Sequence, residues 1–165
     1  MRQVGVLSDT HITSITDTFI RQCISAFEHC DTIIHAGDLT DISILSAFKG
    51  KDIHAVSGNM CNRGTQQALP AEKLIVINGF SIGITHNAGP PHNTEDRLLI
   101  RFPDVNCIIY GHTHLPACTW IGNTLLVNPG SFQGTGKYGS PGTYAILHLL
   151  DSGIQPSLHT LSLQP

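Results

Sequence analysis

Apolar positions along this chain fall either into short continuous runs or into sets that recur at helical spacing, and the two kinds alternate. "QVGVL" (Gln3 to Leu7) reads as a buried strand, and after Asp17, an expected N-cap, Ile20, Cys23, Ile24 and Phe27 mark one face of a helix. "TIIH" gives a second strand. Asp41 caps a helix burying Ile44, Leu45 and Phe48, and "IHAVSG" (Ile53 to Gly58) gives a third strand. The pattern then changes, because "KLIVI" and "FSIGIT" are joined by Asn78-Gly79, a pair suited to a type I′ turn and an antiparallel hairpin. Asn93 or Thr94 opens a helix carrying Leu98, Leu99 and Phe102, followed by the strand "CIIY". Gly122-Asn123 joins "ACTWI" to "TLLVN", and "TYAILHLL" with "PSLHTLSL" close the chain around Asp151-Ser152-Gly153. No linker or repeat intervenes. The expected architecture is one α/β domain over residues 1–165, with mixed sheets covered by helices.

Composition narrows the partners. Nine basic residues against twelve acidic ones leave no strong field for nucleic acid or an anionic membrane, so an anionic substrate must be attracted locally. The apolar runs are too short to span a bilayer, and Met1 leads straight into a strand without a signal-peptide pattern, so a cytoplasmic location is expected. Five cysteines without a C-x-x-C pair argue against a disulfide framework and a structural zinc site. Homo-oligomerisation stays open.

The candidate chemistry lies where strands stop. Asp9 and His11 follow the first strand, Asp38 the second and Asn59 the third; His86 ends the hairpin, and His112 and His114 follow "CIIY". Strand ends in open α/β sheets converge on one crevice, so these residues can meet. Residues two apart on an extended segment share a side, which predicts that Asp9 with His11, and His112 with His114, each face one ion together. Seven candidate ligands exceed one tetrahedral site, and a carboxylate such as Asp38 can bridge two metals. Imidazole and oxygen without thiolate suit borderline divalent transition metals: manganese is the first expectation, with nickel, iron, cobalt and zinc compatible. Two such ions roughly 3.5–4 Å apart can share a hydroxide and clamp the oxygens of an in-line phosphoryl displacement. Singly, Asp9 and Asp38 also read as cap and turn residues. Jointly, uncompensated carboxylates and imidazoles in one crevice are costly unless paired or metal-bound.

In order along the chain, "SDTH", "GDLTD", "GN", "TH" at Thr85-His86 and "GHTH" resemble the motifs of the calcineurin-like metallophosphoesterase superfamily, in its small bacterial and archaeal phosphodiesterase branch. "NPGS" at Asn128 to Ser131 resembles a further element of that branch. The resemblance implies two mixed β-sheets packed as a sandwich flanked by helices, and a binuclear centre hydrolysing small phosphate esters by attack of a metal-bridging hydroxide. By position it implies one metal on Asp9, His11, Asp38 and His114 and a second on Asp38, Asn59, His86 and His112, with Asp38 bridging and Asp38, Asn59 and His112 closest to catalysis.

Two departures matter. Members often carry a histidine after the G-N pair to assist the leaving group, whereas this chain has Met60, which leaves His35, His92 or a metal-bound water as candidate proton donors. Asn87 replaces a usual glycine after His86, a mild change since asparagine tolerates the left-handed region, and Pro90-Pro91 is expected to stiffen the rim. His35 is a candidate to orient Asp38, Asp41 is explained by helix capping, and Asn128 with Ser131 read as turn residues or supports behind the ligands. Arg63, Arg97 and Lys137 are candidate phosphate contacts by charge alone. The alternatives are a phosphomonoesterase and a catalytically weak interaction scaffold of the same fold; loss of ligands would mark the scaffold.

Overall fold

The computed structural model describes residues 2–90, 92–134 and 141–161. In one sheet, β1 (Arg2–Leu7), β2 (Thr32–His35) and β3 (Asp52–Ala55) run parallel, while β9 (Thr143–Leu150) and β10 (Gly153–Thr160) continue it antiparallel in the order β10-β9-β1-β2-β3. In the other, β5 (Phe80–Thr85), β6 (Cys107–Ile109) and β8 (Thr124–Asn128) are parallel. The antiparallel hairpin strands β4 (Glu72–Ile77) and β7 (Ala117–Ile121) form its edges. The result is two mixed five-stranded sheets with helices, as expected.

Alternation along the strands builds the layers. Val4 and Val6 of β1, Ile82 and Ile84 of β5, Cys107 and Ile109 of β6 and Leu147 of β9 fill one buried cluster between the sheets. The opposite faces are covered separately. Phe19, Cys23 and Phe27 of α1 (Asp17–Phe27) pack with Leu7 and Ile33 on one side, and Leu98 and Phe102 from α3 (Thr94–Arg101) and its C-cap pack with Ile108 on the other. Every crossover between parallel strands therefore returns to the same end of a sheet, and the segments after β1, β2, β3, β5, β6 and β8 gather there.

Several local expectations shift. Thr16, not Asp17, caps α1, its hydroxyl accepting from Phe19 N, and the buried face runs through Phe19, Cys23 and Phe27, leaving Ile24 59% exposed. The segment after Asp41 is a 3-10 helix (Ile42–Phe48) burying Ile44 and Phe48, with Leu45 only partly covered. The short α2 (Arg63–Ala68), capped by Asn62 Oδ1 on Thr65 N at 2.8 Å, has too few apolar residues to show helical periodicity. Ser162 and Leu163, expected within the closing strand, lie outside the described residues. No helix among the described residues is long and apolar enough to cross a membrane.

Candidate metal centre

The candidate ligands sit one to five residues beyond the strand ends, on loops whose backbone is not extended. Asp9, His11, Asp38, His112 and His114 have φ of 54°, 49°, 52°, 71° and 59°. Asp9 and His11 still share one group, as expected of residues two apart, but the expectation that His112 and His114 face one ion together fails. His112 and His114 instead separate: Asp9, His11 and His114 form one group, and Asp38, His86 and His112 another. Asn59 is exposed and lines the same cavity as His86.

In the first group, Asp9 Oδ1 lies 3.1 Å from His114 Nε2 and 3.5 Å from His11 Nε2, and the two imidazole nitrogens are 3.4 Å apart. Ligand atoms held about 2.0–2.2 Å from one divalent ion stand about 2.9–3.5 Å from each other, so this triangle has the edges of one face of a coordination shell. In the second group Asp38 Oδ2 is 3.1 Å from His86 Nε2. The groups adjoin, since Asp38 Oδ2 is also 4.0 Å from His11 Nε2, and His86 Nε2 is 3.9 Å from Asp9 Oδ1.

Surrounding bonds aim these atoms. His86 Nδ1 donates to the Ala36 carbonyl at 2.8 Å, which leaves Nε2 as the lone-pair nitrogen. Asp9 Oδ2 accepts from Ser8 Oγ at 2.6 Å and His112 N at 3.1 Å, while Asp38 Oδ1 accepts from Met60 N at 2.7 Å. The other carboxylate oxygen faces a candidate ligand histidine in each case, Asp9 Oδ1 toward His114 and Asp38 Oδ2 toward His86. Asp9 Oδ1 and His86 Nε2 are buried without a hydrogen bond; the close approach of His86 to Asp38 lacks hydrogen-bond geometry. Buried polar atoms left this way are costly, and a cation between them removes the cost. Asn128, wholly buried, donates to Gly111 O at 3.2 Å and Thr113 Oγ1 at 3.0 Å, and Ser131 Oγ donates to Asp9 O at 2.9 Å, so "NPGS" braces the loop carrying His112 and His114. A Cβ on Gly58 would fall 2.1 Å from Asp38 Oδ1, so only glycine lets the third strand's loop approach that carboxylate.

Burial raises the Asp9 and Asp38 carboxyl pKa, but facing groups outweigh it. His11 and His86, with Ser8, hold Asp9 below the ordinary carboxylate value, and His86 with Met60 N does the same for Asp38. Burial lowers His86, and Asp38 and Asp9 reverse that, so its pKa ends above the usual imidazole value. Its proton competes with a metal.

Other expectations are redistributed. His35 touches Thr10 Oγ1 at 3.2 Å rather than Asp38, and burial pushes its pKa down to about 3, so it is neutral and closed off from a leaving group. Asp41 caps its helix through Ser43 N at 2.9 Å. Gly89, not Asn87, takes the left-handed turn (φ 89°), with Asn87 Oδ1 accepting from Gly89 N. Arg97 spends its guanidinium on the carbonyls of Ala88, Pro90 and His92, and Arg63 is an exposed first residue of α2. Pro91 and Lys137 lie outside the described residues. Arg101, which charge alone did not single out, lines a cavity of about 340 Å³ beside His86 and Asn59.

The model of the calcineurin-like phosphoesterase superfamily domain matches residues 1–152. A probable metallophosphoesterase of Methanocaldococcus jannaschii is 35% identical over 133 residues, covering 78% of this chain and 67% of the relative. A phosphodiesterase of the same organism is 26% identical over 147 residues, 80% and 85% of the two chains. Among solved structures, an archaeal phosphodiesterase superposes with a TM-score of 0.75 at 24% identity, over 96% of this chain and 99% of the other. Vps29 of Entamoeba histolytica with Zn2+ gives 0.70 at 23%, over 96% and 98%; these two likenesses speak to the fold. With the family model spanning nearly all of the chain, the protein belongs to the calcineurin-like phosphoesterase superfamily.

Proposed function

We propose that this protein is a metal-dependent phosphodiesterase in which Asp9, His11, Asp38 and His114 hold one divalent cation and Asp38, Asn59, His86 and His112 a second. One observation carries the reading: two adjoining ligand groups with Asp9 Oδ1 and His86 Nε2 buried and unpaired between them. Divalent cations bound there, manganese first, supply Lewis acidity toward phosphoryl oxygens and ready ionisation of water. Asp38, fixed by Met60 N, sets the charge at the centre. Asn59 and His112 are the exposed members of this ligand set, open to an incoming ester. The five cysteines are free thiols and four are buried, which suits a cytoplasmic setting and offers no placed nucleophile.

Unless exposed His92 or a metal-bound water substitutes, the leaving group departs with little general-acid help from the described residues. Met60 is a thioether, 59% exposed, and His35 is sealed behind the site. Hydrolysis should therefore depend steeply on leaving-group acidity, by up to about 10²–10⁴-fold between nitrophenyl and alkyl esters. Met60→His should raise the alkyl rate selectively.

The test is metal analysis of the purified protein together with turnover of nitrophenyl mono- and diesters under several divalent metals. About two metal equivalents, diester preference, and heavy-oxygen label from solvent in the product of a first turnover are expected. Faster monoester turnover would make it a phosphomonoesterase. Metal-free protein that stays inert after supplementation would favour a scaffold.

A further inference from the structure

The cavity beside His86 and Asn59 is lined by side chains that the phosphoester chemistry does not use. Ser57, Gln66, Glu72, Asn87 and Arg101 supply polar atoms, and Ala71 is the one apolar side chain without a polar group in its wall. Arg101 Nε lies 3.2 Å from Glu72 Oε1, and its Nη1 donates to Asn87 O at 2.8 Å and Thr85 Oγ1 at 3.2 Å. The ion pair neutralises the wall, so the cavity makes no demand for a second anion. Capacity remains, however. Arg101 Nη2, Gln66 Oε1 and Asn87 Nδ2 have no protein partner among the described residues, and Ser57 Oγ has only a long contact to Pro70 O at 3.4 Å.

We propose that this cavity is a subsite for one arm of the diester, and that the arm is a small uncharged polyol such as glycerol or a sugar; the inference rests on the phosphodiesterase reading above. Three features select that chemistry. No phenylalanine, tyrosine or tryptophan lines the cavity, so beyond the His86 imidazole, which the metal site claims, a nucleobase would find no broad stacking face. An acyl or aryl arm would strand the unpaired donors and acceptors without water. A hydroxylated chain satisfies both kinds at once, and about 340 Å³ is room for one. Gln66 and Arg101 are the specificity residues: they reach the cavity from two different helices, α2 and α3.

The experiment compares nitrophenyl phosphodiesters whose second arm is glycerol, methyl or a nucleoside, on metal-loaded protein. KM for the glycerol ester should lie roughly tenfold below that of the methyl ester, the worth of one or two hydrogen bonds, and the nucleoside should gain nothing over methyl. Gln66→Leu should close that gap; Gln67→Leu, exposed one residue on and outside the cavity, should keep it. Equal KM for glycerol and methyl, a nucleoside preference, or an undiminished gap in Gln66→Leu overturns the subsite. An independent reading is the side-chain amide resonances of Gln66 and Asn87 in zinc-loaded protein titrated with glycerol phosphate. Shifts at both support the subsite even if no ester is turned over, in which case the phosphodiesterase reading fails alone; silent amides overturn it.

Discussion

The two ends of the sandwich both depend on left-handed backbone, but with different residues. At the end away from the metal centre, the turns after β4, β7 and β9 place positive φ at Asn78, Gly79, Gly122 and Gly153, where the three glycines meet nothing within 4 Å of an added Cβ. At the other end the same backbone region is held by Asp9, His11, Asp38, His112 and His114. A side-chain-bearing residue there costs on the order of 1–3 kcal/mol, persisting only where surrounding contacts impose it. One end obeys local preference; the other overrides it to bring polar atoms together.

The largest effect that would test this contrast is at Asp38. Asp38→Asn removes the charge between the two ligand groups and should cut metal content and turnover together by more than about 100-fold, beyond the loss seen on mutating mere supports of ligands. Asp41→Asn, three residues on, keeps a good cap and should change neither. Equal losses, by metal analysis and kcat/KM, would break the distinction.

Glycine exchange comes next. Gly58→Ala drives a Cβ into the Asp38 carboxylate and should weaken metal affinity at least tenfold by calorimetry. Gly79→Ala meets no atom and should cost about 1 kcal/mol of stability from its φ of 84°, with metal binding intact. Metal loss in Gly79→Ala would mean the ends are coupled.

The smallest effect is in pH. The raised pKa of His86 gives metal-free protein a stabilising contribution that is complete below the ordinary value of 6.5 and fades as pH rises through the raised one. The lowered values of Asp9 and Asp38 contribute above the ordinary 3.8 and are lost as pH falls through their folded values. Metal-free protein should therefore have its highest Tm in mildly acidic solution, and the gain in Tm from metal should grow as His86 deprotonates. A metal-induced gain that is flat from pH 5 to 8 would argue against His86 as a ligand.

These ends were unequally legible in the sequence. Asn78-Gly79 announces its turn because the dipeptide itself prefers that backbone. The polar residues at the strand ends could be picked out, and the fold brings them together, because parallel strands deliver their C-terminal loops to one edge. Their grouping could not be read from periodicity: the two-residue alternation assumes extended chain, and His112 and His114 are not extended. Thr16 was hidden behind an equally good cap at Asp17, and Arg101 was hidden because its role comes from the cavity wall it shares with α2.

The order of strands has a consequence for synthesis on the ribosome. β1, translated before the other strands of its sheet, lies in the middle of it, paired with β2 on one side and with β9 on the other through Val4↔Leu147. Asp9 waits likewise, since its backbone carbonyl is held by Ser131. Until about residue 150 has emerged from the exit tunnel, the nascent chain carries an apolar strand with one bare edge, and a product released before that point keeps it. Bare edges template pairing with other chains, so premature termination near residue 140 should give aggregates rather than a weakened enzyme.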